Sequence, residues 1–232
     1  MSTALIVAHG QPSAPGPAAA ALEDLAARVA AHLPHWDVGA ATLAEPDALA
    51  QAARRRAPGL IYPLFMAGGW FTRSAIPARL AEAGIAGWQV MEPFGCDPAA
   101  HGLALDIVAE QGGGEVLLAA HGSFKSAIPA AIARALARRI GLATRRRAEA
   151  AFIDQMPRLA QVQGWDAAAL CLPFFAMAGA HVEEDLPAAL AEAGFAGRIL
   201  PPLGHDPRVP ALIAEALRQP RPLCASCRFA PD

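Results

Sequence analysis

Two stretches of this chain recur in order, and the repetition constrains the fold more than any other feature. LIVAHG at Leu5 to Gly10 returns as LLAAHG at Leu117 to Gly122, 112 residues later. PLFMAGGWFTRSAIPARLAEAG at Pro63 to Gly84 returns as PFFAMAGAHVEEDLPAALAEAG at Pro173 to Gly194, 110 residues later. A 232-residue chain built this way is a duplicated half, each copy the size of a small domain. Aligning Gly69 with Gly179 sets Phe71 opposite His181, Arg73 opposite Glu183, Ser74 opposite Glu184 and Ala75 opposite Asp185. The copies therefore share a framework and differ in chemistry.

Each copy alternates short apolar runs with helical spacing. Leu5 to Ala8, Val38 to Leu43, Gly59 to Phe65 and Trp88 to Met91 read as strands, separated by helical segments at Ala18 to Leu33, Pro46 to Arg56 and from Pro77 to Gly84. The second copy repeats this order from Val116 to Arg218. Such alternation predicts an α/β fold: two similar lobes, each a parallel sheet flanked by helices, related by internal duplication. The Gly-rich joint at 111–114 places the lobes at 1–111 and 112–220, with a Cys-containing tail at 221–232.

Composition removes several classes. The longest apolar stretches are too short to span a bilayer and are broken by Pro63 and Pro173, so no membrane partner is expected. A net charge of −2 gives a nucleic acid no electrostatic footing. Four cysteines and an N-terminus without a basic leader predict a reducing, cytoplasmic setting.

In a parallel sheet, reactive groups gather beyond the carboxyl ends of the strands. His121 and His181 both fall there, 60 residues apart in sequence. His121 ends a strand, and Gly122 after it lets backbone approach a ligand closely. His181 heads a cluster, Glu183, Glu184 and Asp185, on what reads as the loop before a helix, where Asp185 suits a cap. Imidazole nitrogen beside carboxylate oxygen suits iron, cobalt, nickel or zinc, with Asp154 and Glu184 as acidic candidates.

His-Gly-Ser after a first strand, together with Pro-Phe-Phe-x-x-x-Gly-x-His-x-x-x-Asp-x-Pro after a third, resembles the class II tetrapyrrole chelatases, the sirohydrochlorin cobaltochelatase and ferrochelatase group. The likeness spans the whole chain as two copies. It implies insertion of a divalent metal, Co²⁺, Fe²⁺ or Ni²⁺, into sirohydrochlorin for sirohaem or cobalamin synthesis, with the metal as substrate. By the same likeness His121 and His181 bind the metal and take the pyrrole protons, and Asp154 is the acidic helper. Gly122, Ser123, Lys125, His9 and Arg73 become substrate contacts, with Arg134 and Arg138 as further cations for an acidic macrocycle. The first copy keeps His9 and has Glu45 in Leu-Ala-Glu-Pro, but Phe71 stands where a second histidine belongs, so the first lobe reads as degenerate. The second copy departs too, with Asp154-Gln155-Met156-Pro157 where the family has Glu before Pro.

Cys224-x-x-Cys227 follows the last helix, and longer relatives carry an iron–sulphur cluster near this point, which makes one conceivable here across two chains. A monomer or a homodimer is compatible with a tandem copy. A non-catalytic metal or tetrapyrrole carrier is the alternative reading of the same motifs.

Overall fold

A computed structural model describes residues 1–225 and 227–229. Its first half runs β1 (Ser2–Ala8), α1 (Pro15–Ala31), β2 (Trp36–Thr42), α2 (Ala48–Arg54), β3 (Leu60–Pro63), α3 (Ile76–Glu82), β4 (Gln89–Val90) and α4 (Pro98–Glu110). The second runs β5 (Val116–Ala120), α5 (Ile128–Thr144), β6 (Ala148–Phe152), β7 (Leu170–Pro173), α6 (Leu186–Glu192), β8 (Arg198–Ile199) and α7 (Val209–Arg218). The strands form two four-stranded sheets, ordered β2-β1-β3-β4 and β6-β5-β7-β8, with every pairing parallel. The expected α/β class and the duplication are therefore both present.

Parallel central strands are covered on both faces, which is why β5 reads Val-Leu-Leu-Ala-Ala and is buried at every position. On one face, α5 buries Ala133, Leu136, Ala137 and Ile140, the spacing of a single helical stripe. On the other, Leu117, Ala119, Cys171, Leu186 and Leu190 pack together. The first sheet has the equivalent cluster of Leu5, Val7, Ile61, Ile76 and Leu80. Full burial of each such Leu or Ile stabilises the fold by about 2 kcal/mol.

Compact packing divides the chain at other points than the repeat does. One unit joins Met1–Asp97 to Pro207–Ala225, and the other is built on Pro98–Asp206. Thus α4, which ends the first repeat, belongs to the second unit, where Arg139 of α5 donates to Nδ1 of the buried His101 at 3.1 Å. In turn α7 belongs to the first unit, where Arg218 donates to the His32 carbonyl at 2.5 Å. The units break after Asp97 and Asp206 rather than at residues 111 and 220, because helix faces pack by apolar fit, whichever repeat encodes them.

One local expectation is corrected. The segment before α6 is no loop: His181–Asp185 form a π-helical turn that runs directly into α6, the Leu186 N–H reaching back to the His181 carbonyl, and Pro187, which has no N–H to return to that turn, follows at the junction. Phe71–Ala75 do the same ahead of α3.

Candidate metal centre

The second unit carries the candidate centre. The β5–β6 register sets Ala120 beside Phe152, and the next hydrogen bonds run from Ile153 N–H to the Ala120 carbonyl and from Asp154 N–H to the His121 carbonyl, 3.0 Å. This pairing fixes His121 next to Asp154. Gly122 follows with φ +78°, where an added Cβ would meet Gln155 Cγ at 2.7 Å. Only glycine suits that close approach. Gln155 Oε1 then accepts the Ser123 N–H at 2.8 Å, and Ser123 Oγ accepts the N–H groups of Lys125 and Ser126. The loop after β5 is thereby tied to the loop after β6.

The π-helical turn supplies the other half. Val182 packs into the core, while His181 and Asp185, four residues apart, share the outward face. His181 Nδ1 lies 2.6 Å from Asp185 Oδ2. His121 Nδ1 lies 3.1 Å from the Gly122 carbonyl and 3.3 Å from Asp154 Oδ2. A ring nitrogen facing only acceptors carries its proton, so each neutral imidazole keeps its lone pair on Nε2. These two Nε2 atoms meet at 3.0 Å, with the rings perpendicular and their centroids 4.3 Å apart. Two lone pairs at that distance repel. A cation between them, proton or metal, turns the repulsion into binding.

The pair is accessible: the side chains are 40% exposed at His121 and 51% at His181. Among the described residues no three His, Cys, Asp or Glu side chains form a chelating cluster. The reason is geometric: both carboxylates stand behind the imidazoles, at Nδ1.

Of the residues singled out from sequence, His121, His181 and Asp154 come together with Gly122 and Ser123. Glu184 is exposed, and the carboxylate that reaches His181 is Asp185. Asp185 makes no side-chain cap, contrary to expectation. Its signal was the four-residue spacing from His181, legible only once the segment is known to be helical. Gln155 gave no sequence signal. Lys125 and Arg138 are exposed; Arg134 donates to the Met156 carbonyl at 2.9 Å, and its guanidinium lies over the Phe152 ring. Arg73, in the first unit, is tied to the tail, donating to the Ala225 carbonyl at 2.9 Å and to Cys224 Sγ at 3.6 Å.

The first unit holds the matching position with different chemistry. His9 Nδ1 sits 2.9 Å from the Gly10 carbonyl, as His121 does on Gly122. Phe71 meets His9 edge to face, centroids 4.7 Å apart and planes at 82°. The hydrogen-bond register puts Ala44 where Asp154 stands, and Ala75 matches Asp185. Glu45 lines an open groove of about 380 Å³ beside β2.

A solved structure of CbiX, described as the terminal enzyme for biosynthesis of siroheme in denitrifying bacteria, matches with a TM-score of 0.86 and 46% identity over 94% of this chain and 98% of that one. The chain belongs to the CbiX family. The CbiX family model itself matches residues 115–220, the copy that bears the paired histidines. The fold also matches SirB from Bacillus subtilis with Fe³⁺, TM-score 0.62 at 15% identity over 94% of this chain and 95% of that one. It matches the sirohydrochlorin chelatase SirB from Bacillus subtilis subspecies spizizenii in complex with cobalt, TM-score 0.65 at 16% identity with the same coverage. Likeness at that identity speaks for the fold alone. No curated protein sequence matches the chain. The class II chelatase resemblance of the two motifs is thus borne out at the level of family.

Proposed function

We propose that this protein inserts a divalent metal ion, cobalt or iron, into sirohydrochlorin. The observation that carries the reading is the 3.0 Å separation of the two imidazole Nε2 atoms, each backed at Nδ1 by an acceptor. With metal–nitrogen bonds of about 2.1 Å, that separation corresponds to a nitrogen–metal–nitrogen angle of about 90°, a cis pair that leaves the opposite side of the ion open. Two protein ligands hold an ion loosely enough to surrender it to four ring nitrogens.

Insertion releases two protons: the free-base ring loses two N–H hydrogens as the dication enters. His121 and His181 serve as both ligands and bases. As each Nε2 gives up the metal it regains a lone pair and takes one pyrrole proton, and the imidazolium formed is stabilised by Asp154 or Asp185 behind it. The first unit, lacking a second histidine, takes no part in the proton transfer, though His9 and Arg73 remain candidate substrate contacts. Gly122 and Ser123, held against Gln155, remain candidate substrate contacts through the loop they fix, and Lys125 offers a cation to the acidic rim of the ring.

The product serves sirohaem or cobalamin synthesis. A cytoplasmic place and the lack of a nucleic-acid partner are proposed from the four cysteines and the net charge of −2; no helix among the described residues is long and apolar enough to cross a membrane. An iron–sulphur cluster usually takes four protein ligands. Cys96 and Cys171 are buried, so one chain offers only Cys224 and Cys227 and does not fit a cluster by itself; a shared cluster would require a homodimer.

Anaerobic insertion assays with Co²⁺ and Fe²⁺, followed by the absorbance change of the ring, test the proposal. Turnover lost in His121→Ala and His181→Ala and kept in His9→Ala supports it. A wild type that binds the ring and never inserts metal would leave a carrier instead.

A further inference from the structure

Among the described residues six large apolar side chains stand exposed, and two of them, Phe124 at 75% and Met156 at 62%, lie on the loops that carry His121 and Asp154. Phe124 lies three residues after His121, and Met156 two residues after Asp154. Single exposed apolar side chains are ordinary on a protein surface. These two differ in how their backbones are held. The Ser123 N–H to Gln155 bond joins the two loops at the residues just before Phe124 and Met156, and Arg134 grips the Met156 carbonyl at 2.9 Å. The loops are fastened while their apolar side chains are left in water.

We infer that Phe124 and Met156 form the apolar face on which the conjugated ring of the macrocycle lies during metal insertion. The inference rests on the chelatase reading and adds to it the residues that select a broad, flat, conjugated ligand. Such a ring has two apolar faces and an acidic rim. A phenyl group stacks on such a face, and a thioether makes favourable contact with a π system. The cations are placed to match: Lys125 is the neighbour of Phe124, and the exposed Arg134 lies beside Met156. Phe124 leaves the loop that carries His121, and Met156 the loop that carries Asp154, and the Ser123–Gln155 bond ties those two loops together. Phe124 and Met156 are therefore positioning residues that decide ring affinity and leave the proton transfer alone.

The test compares wild type, Phe124→Ala, Met156→Ala, the double variant and Phe124→Trp, with Leu142→Ala as a control. Leu142 is 82% exposed near the far end of α5. Three quantities are read anaerobically: KM and kcat for sirohydrochlorin, the Kd of Co²⁺ alone by calorimetry, and the melting temperature. Each alanine variant should raise KM by about 10-fold, the size of one lost stacking contact, with kcat and the Co²⁺ Kd within about twofold. Phe124→Trp should keep KM near the wild-type value, and its added emission should be quenched by the ring. High exposure means that truncation leaves the core intact, so melting should be unchanged, as in Leu142→Ala. A double variant with wild-type KM overturns the inference, as does a parallel loss of Co²⁺ affinity or a self-association that depends on Phe124. A wild type that neither binds the ring nor inserts metal removes the chelatase reading, and this inference with it.

Discussion

Removing the Asp185 carboxylate tests the logic of the metal centre most directly. The His181 Nδ1 to Asp185 Oδ2 contact is 2.6 Å, the length of a charge-assisted hydrogen bond, which contributes about 1.5–3 kcal/mol where water is excluded. Here both side chains are about half exposed, at 51% and 48%, so solvent screening places the effect at the low end. A loss of about 1.4 kcal/mol is a tenfold weaker metal affinity, the lower bound usual for groups that orient a ligating histidine. Asp154 should matter less: it stands 3.3 Å from His121 Nδ1, and the Gly122 carbonyl at 3.1 Å satisfies that donor when the carboxylate is gone. Calorimetric titration of Co²⁺ should therefore rank the losses as Asp185→Ala about tenfold, Asp154→Ala about two- to threefold, and Glu184→Ala none. Asp185→Asn, which keeps the shape without the charge, should fall between wild type and Asp185→Ala. If Glu184→Ala costs more than Asp185→Ala, or Asp154→Ala costs as much, the assignment of carboxylates behind the imidazoles is wrong.

Phe71→His combined with Ala75→Asp should rebuild the pair against His9 and raise Co²⁺ stoichiometry from one to two per chain; an unchanged stoichiometry would mean that the first unit's backbone does not hold the ring geometry. Arg147 hydrogen-bonds Glu149 and holds its carboxyl below the ordinary glutamate value, so this stability is present above that value and is lost as pH falls through the lowered one. Thermal melts between about pH 5 and pH 3 should therefore fall less steeply in Arg147→Ala than in wild type, and parallel curves would refute the pairing. Tyr62 is fully buried with its hydroxyl unpaired among the described residues, so Tyr62→Phe should hold or raise the melting temperature, and a clear drop would reveal a further partner. Burial pushes the Cys171 thiol up to about 12, and Cys96 is buried too, so mass spectrometry after native alkylation at pH 8 should find label on Cys224 and Cys227 only.

What the sequence showed and what it hid follow from the range over which each interaction acts. Strand identity was legible because β5 is buried on both faces and must be apolar throughout. His121 and His181 were legible because strand ends in a parallel sheet fall on one rim. Asp185 was obscured because a proline such as Pro187 commonly opens a helix; here a π-helical turn precedes it, joined to α6 by the bond from the Leu186 N–H to the His181 carbonyl. The partners that Arg73 finds in the tail are 151 and 152 residues away, and no local pattern reports a contact of that span. The exchange of α4 and α7 escaped for a related reason: an apolar stripe says that a helix packs, and leaves open which sheet it packs on.

The two copies separate the geometry of the centre from its chemistry. In the second unit a ring at position 181 meets His121 at 4.3 Å and 90°; in the first a ring at position 71 meets His9 at 4.7 Å and 82°. Backbone register, the glycine after the histidine and the helical turn are enough to bring two rings edge to face, whatever the rings are. Three exchanges at the rings and behind them, Phe71 for His181, Ala75 for Asp185 and Ala44 for Asp154, separate a packing contact from a pair of imidazole nitrogens 3.0 Å apart. Because phenylalanine relieves the repulsion between facing lone pairs, the first unit is at rest without a cation. The second is not, and the ion or proton that quiets it must be one that can leave again when four ring nitrogens compete for the metal.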